Sequence, residues 1–127
     1  QMNQLNRTLA PDIETVCLTI ETENNDTVRR RAESPSPWLA GFDLRAYDGS
    51  LPRAVKAAGC ATWSPFWRNV TAASVGESHA LGLQVLPWTV NDATDMARLI
   101  DWKVDGLITD YPDRLREVMR KKGLPLP

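Results

Sequence analysis

Four clusters of polar and aromatic residues interrupt otherwise apolar runs: Thr19-Ile20-Glu21, Ser64-Pro65-Phe66-Trp67, Trp88-Thr89-Val90-Asn91-Asp92 and Thr109-Asp110-Tyr111. A tryptophan at such a place offers a flat apolar wall with one N–H donor. Phe66 or Trp67 is placed to extend that wall, with ordinary packing as the alternative for both. Asn91 reads as a helix cap ahead of a ligand contact, and Thr109 and Asp110 as organisers of a turn around Pro112. Acid–base chemistry has no evident carrier. The chain has one histidine, His79, inside a helical stretch, where a satisfied or exposed helix residue is the simpler reading. No two carboxylates share a strand end at the spacing a divalent cation needs.

The totals narrow the class of protein. A chain of 127 residues forms one domain at most, and it is long enough to bury a core. Fifteen basic and 16 acidic residues leave a net charge of −1, which gives nucleic acid or an anionic membrane no electrostatic hold. No apolar run reaches the length of about 18 residues that a membrane span requires. The basic run Arg29-Arg30-Arg31 stands between Asp26 and Glu33 and reads as a solvated loop. Cys17 and Cys60 fit neither a disulfide framework nor a zinc pattern, so each is expected to be a small buried apolar residue. The compartment stays open between cytoplasm and periplasm. Gln1 is followed by no signal-like segment, which points to a start removed by processing or truncation.

The elements that position these clusters alternate. Met2, Leu5 and Leu9 recur at helical spacing over Gln1–Ala10, and Pro11-Asp12 ends that helix. Thr15–Ile20 is a short β-branched run that predicts a buried strand. Residues 21–50 form a polar insertion with two Ser-Pro steps, tied down by the apolar patch Trp38–Leu44. Ser50 caps a helix over Pro52–Ala58 closed by Gly59, and Cys60–Pro65 is a second strand. Thr71 caps a helix through Leu81, closed by Gly82, and Leu83–Thr89 is a third strand. Asn91 or Asp92 caps a helix through Trp102 with Met96, Leu99 and Ile100 on one face. Asp105–Thr109 is the fourth strand, and Pro112 opens a last helix with Leu115, Val118 and Met119 turned inward, ended by Gly123.

Repeated strand, turn, helix and glycine mean an α/β fold: four parallel strands with right-handed crossover helices. Near-continuous apolar strands imply a sheet covered on both faces. Each strand delivers its polar residues at its carboxyl end, where α/β folds bind ligands. Four strands do not close a barrel, which needs about eight.

Gly82–Asp92, containing Trp88-Thr89-Val90-Asn91, and Val104–Asp113, containing Val104-Asp105-Gly106-Leu107-Ile108-Thr109-Asp110-Tyr111-Pro112, together resemble the closing signature of the glycerophosphodiester phosphodiesterases. The helix between them is similar to that family as well. Leu9–Ile13 leading into Cys17-Leu18-Thr19 resembles its sixth-strand region. The resemblance implies a partial (β/α) TIM-type barrel: residues 1–127 as the carboxyl-terminal half of a phosphodiesterase domain. It implies an intact enzyme that uses a divalent metal, calcium or magnesium, to hydrolyse a glycerophosphodiester to glycerol 3-phosphate and an alcohol. The family's H-R-G strand end, E-x-D pair, second histidine and E-x-K strand, which carry acid/base groups and metal ligands, do not occur here. The chain is therefore expected to bind no metal, to be inactive alone, and to lend Trp88 and Phe66 as a wall for the glycerol carbons. The family favours glycine at the position of Lys103, so this helix must end on a left-handed lysine or close differently.

Two other readings compete with this. A half-barrel exposes edges that the missing amino-terminal half would cover, and two copies could pair through them as a homodimer or a binding and assembly module. A small open-sheet α/β protein unrelated to phosphodiesterases is the third.

Overall fold

A computed structural model describes residues 14–28 and 44–126. The opening helix over Gln1–Ala10, the Leu9–Ile13 stretch, Arg29-Arg30-Arg31, the Ser-Pro steps and most of the Trp38–Leu44 patch lie outside the described residues.

Three strands, β1 (Val16–Thr19), β2 (Thr62–Pro65) and β3 (Gln84–Val85), form a parallel sheet in the order β1-β2-β3. Register runs from Val16 opposite Thr62 to Thr19 opposite Pro65, and Trp63 stands opposite Val85. Helices α1 (Leu51–Ala57), α2 (Ala72–Ala80), α3 (Ala93–Asp101) and α4 (Pro112–Lys121) follow as the alternation requires. Local chemistry fixes their ends. Ser50 Oγ accepts from Arg53 N at 3.2 Å, and Thr71 and Ser74 exchange bonds of 3.0 Å in a capping box. Gly59 (φ 85°) and Gly82 (φ 79°) take the left-handed conformation that releases the chain into the next strand.

One face of the sheet holds the core. Trp63 and Val85 pack with Leu51, Ala54 and Val55 of α1, Val75 of α2, Met96 and Leu99 of α3 and Val118 of α4. Trp63 is 2% exposed, and its indole N–H donates to Thr19 Oγ1 at 2.9 Å, so its one polar atom is satisfied inside the core.

On the other face the central strand is covered, with Thr62 and Ser64 buried, but the edge strand β1 is not, against the expectation of a sheet covered on both sides. Val16 and Leu18 are 49% and 63% exposed. They alternate with half-buried Cys17 and buried Thr19, as strand geometry demands, and nothing among the described residues covers them.

The fourth strand is also corrected. Residues 105–109 lie along β3 but form no regular ladder. Three bonds join the segments: Asp105 N to Val85 O, Ile108 N to Pro87 O, and Val90 N to Ile108 O. Pro87 has no N–H to give, and a proline facing a neighbouring strand removes a rung. Asp105 compensates at the other end, where its Oδ2 accepts the Val85 N–H at 2.8 Å.

Lys103 does end its helix left-handed, at φ 69°. Holding an L side chain there costs about 1 kcal/mol relative to glycine. Lys103→Gly is expected to raise the urea midpoint slightly, by the equivalent of at most about 0.6 kcal/mol once the roughly 0.4–1 kcal/mol of glycine's greater unfolded-state freedom is subtracted.

Cys17 and Cys60 are not independent apolar residues. They form a disulfide across 43 residues, from β1 to the turn that feeds β2. The separation of 43 residues along the chain conceals the pairing.

Candidate site at the carboxyl ends of the strands

Phe66 and Trp88 follow β2 and β3, and an isolated parallel bridge joins them beyond the regular ladder. Their rings lie 5.6 Å apart at 55°, and both residues are half-buried. The two residues expected to form a wall therefore lie side by side as an aromatic pair. Its polar content differs from expectation: the Trp88 indole N–H donates to Ser64 O at 2.8 Å, so it is spent inside the fold and the wall is apolar.

Trp67, the alternative extension, does other work. Arg68 lies 5.0 Å from its ring centre and Arg98 5.9 Å, while Arg98 also stands 5.5 Å from Trp102 and pairs with Asp95 at 2.9 Å. Both guanidinium groups hold this ring, and α3 with it, against the loop leaving β2. Trp67 N–H donates to Trp88 O at 2.9 Å, which fixes the wall from behind.

Asn91 is not the helix cap. Asp92 is: its Oδ1 accepts from Thr94 N at 2.8 Å. Asn91 instead bridges to the chain's last turn. Its Oδ1 accepts from Asp110 N at 3.0 Å and Thr109 Oγ1 at 3.2 Å, and its Nδ2 donates to Asp110 Oδ2 at 3.1 Å. Arg114 donates to Asn91 O at 2.5 Å and covers the Tyr111 ring at 4.4 Å. Thr109 Oγ1 accepts Tyr111 N–H at 3.0 Å, so Thr109 and Asp110 do organise the turn into α4.

At the opposite side of the rim, Asn69 clasps the backbone of Glu21, accepting its N–H and donating to its carbonyl, each at 2.8 Å. Asn69 carries no signal in the sequence, since its partner lies 48 residues away.

His79 takes no part in this rim. Its Nε2 lies 2.8 Å from Asp105 Oδ2, at the edge where the strands begin. Among the described residues no three His, Cys, Asp or Glu side chains converge to hold a metal ion. The described side chains thus offer no ligand set that fits the divalent cation the resemblance implies.

A profile of the Glycerophosphoryl diester phosphodiesterase family matches residues 4–114. The chain belongs to that family. A glycerophosphodiester phosphodiesterase of Caldanaerobacter subterraneus is 41% identical over 87 residues, 68% of this chain and 30% of the relative. The crystal structure of a family protein from Silicibacter pomeroyi matches with a TM-score of 0.73 at 37% identity, over 95% of this chain and 35% of that one. An Oleispira antarctica phosphodiesterase, solved with the product sn-glycerol-3-phosphate, shares the fold at a TM-score of 0.62 and 18% identity. This chain thus spans only about a third of the length of the family members it matches. The structural neighbours are TIM-type barrels, and the parallel sheet with its helices corresponds to part of one. No described helix is long and apolar enough to cross a membrane.

Proposed function

We propose that this chain is the carboxyl-terminal half of a glycerophosphodiester phosphodiesterase barrel, its domain running over residues 1–127. The aromatic pair Phe66 and Trp88 forms the apolar side of the substrate pocket. The observation that carries this reading is the pair itself, fixed at the carboxyl ends of the strands in a chain that matches the family over residues 4–114. An apolar wall with no free donor suits the carbon face of glycerol. It leaves phosphate to charged groups contributed by the rest of the barrel.

In the complete enzyme a glycerophosphodiester is hydrolysed to glycerol 3-phosphate and an alcohol. The calcium or magnesium of that reaction is held by residues outside this chain, and no step of the chemistry is assigned to residues within it. The exposed Val16 and Leu18 face the place where the amino-terminal half supplies its strands.

The test is a complete barrel containing these 127 residues, assayed for glycerol 3-phosphate release from glycerophosphocholine. Release that stops on chelation and returns with calcium or magnesium is the expected result. A complete barrel that hydrolyses no glycerophosphodiester overturns the assignment. A homodimeric assembly module remains a separate outcome, read from light scattering of the 127-residue chain.

A further inference from the structure

We infer that the Cys17–Cys60 disulfide is a thiol–disulfide latch that holds the edge strand β1, and that its reduction loosens β1 without unfolding the helices. The inference does not depend on the catalytic reading. It starts from how little else secures this strand. β1 has four residues and one partner, β2, among the described residues. Its side chains at Val16 and Leu18 are exposed, so half of the strand gains little from burial. The other contacts that hold it include the ladder, the Trp63–Thr19 hydrogen bond, the packing of Cys17 against the core and, just beyond the strand, the Ile20–Thr27 bonds and the clasp of Asn69 on Glu21. Each of the side-chain hydrogen bonds lies at the carboxyl end. The disulfide ties the amino-terminal half of the strand.

The backbone positions suit the bond: the two Cα atoms are 6.0 Å apart, inside the range of about 4.4–6.8 Å that disulfides span. The bond closes a loop of 43 residues that contains the whole connection from β1 to α1 and α1 itself. Closing a loop of that size removes much of the unfolded chain's freedom. Cys17 is half-buried at the sheet edge and Cys60 is 2% exposed, so a thiolate from solvent attacks at Cys17 and expels Cys60.

The chemistry balances with a disulfide of low molecular weight as oxidant. Two S–H bonds break and one S–S bond forms. The oxidant's own S–S bond breaks, and it takes up the two protons and two electrons and leaves as two thiols. A dithiol such as dithiothreitol reverses the exchange. The latch also reaches the ligand-facing rim, because Thr19 O accepts the Phe66 N–H at 2.8 Å. A displaced β1 would therefore release one hydrogen bond that holds the aromatic wall.

The experiment is peptide mapping of the full chain without reductant, then hydrogen exchange and thermal unfolding with and without dithiothreitol. The expected map shows the Cys17 and Cys60 peptides linked. Reduction is expected to speed amide exchange in β1 by at least about tenfold, to leave α3 and α4 protected, and to lower the unfolding midpoint by about 10 °C or more. The double variant Cys17→Ala with Cys60→Ala should match the reduced protein and ignore dithiothreitol. Separately alkylated Cys17 and Cys60 peptides overturn the inference. So does a linked pair whose reduction changes neither exchange nor midpoint, and so does reduction that exposes every element at once.

Discussion

The 127-residue chain alone, given glycerophosphocholine with calcium or magnesium, is expected to release glycerol 3-phosphate no faster than buffer does. Phosphodiester hydrolysis needs an activated nucleophile and a proton donor for the leaving group, and a cation commonly supplies the charge stabilisation. The only histidine, His79, is bonded to Asp105 at the edge of the sheet away from Phe66 and Trp88. The described residues bring no three candidate ligands together. An apolar wall orients a substrate without lowering its barrier by itself. Since enzymes exceed background by at least about a millionfold, the complete barrel and the isolated chain should differ by roughly six orders of magnitude or more. Release above background from the isolated chain, in a preparation free of contaminating hydrolase, would contradict the division of labour proposed here.

Trp63→Ala is expected to be the most damaging single change in the described core. Trp63 is 2% exposed in the central strand, opposite Cys17 on one side and Val85 on the other. Removing its ring forfeits the apolar burial and leaves a cavity, for a loss of about 3–5 kcal/mol. It also strips Thr19 Oγ1 of its donor. Against a typical stability of about 5–15 kcal/mol, that loss reduces the folded population severely. Urea unfolding followed by circular dichroism measures it, and a loss below about 1 kcal/mol would mean that Trp63 does not anchor the sheet. Trp63→Phe retains most of the ring and should fall between the variant and the parent.

Much of the architecture is legible along the chain because it is local. Ser50, Thr71, Gly59 and Gly82 announce helix ends through their own side chains or their tolerance of positive φ, and each does so in the structure. The placement of Phe66 and Trp88 just past neighbouring strands is legible too, because Trp88 ends an apolar run and Phe66 follows another. What was not readable depends on contacts between distant segments. The amide of Asn91 has two nearby uses, capping α3 or reaching the last turn, and only the position of Thr109 and Asp110 decides between them. The indole of Trp88 gives its N–H to Ser64 O, 24 residues away, a partner that nothing beside Trp88 in the sequence indicates. The missing fourth strand has a local cause after all. Pro87 was visible, but its effect falls on residues 105–109, a partner that the neighbouring sequence does not name. Exposure of Val16 and Leu18 follows from what stands beside β1, which no property of β1 encodes.

The Asn91 bridge bears on how such barrels can be recombined. Trp88-Thr89-Val90-Asn91 and Thr109-Asp110 are cross-wired through one carboxamide, so the geometry of each stretch depends on the other. A chimera joined between them, taking one stretch from this chain and the other from a distant relative, would pit an amide against a turn shaped for a different partner. Splices placed before Leu83 keep that wiring whole, and they mark where modular exchange between family members should succeed.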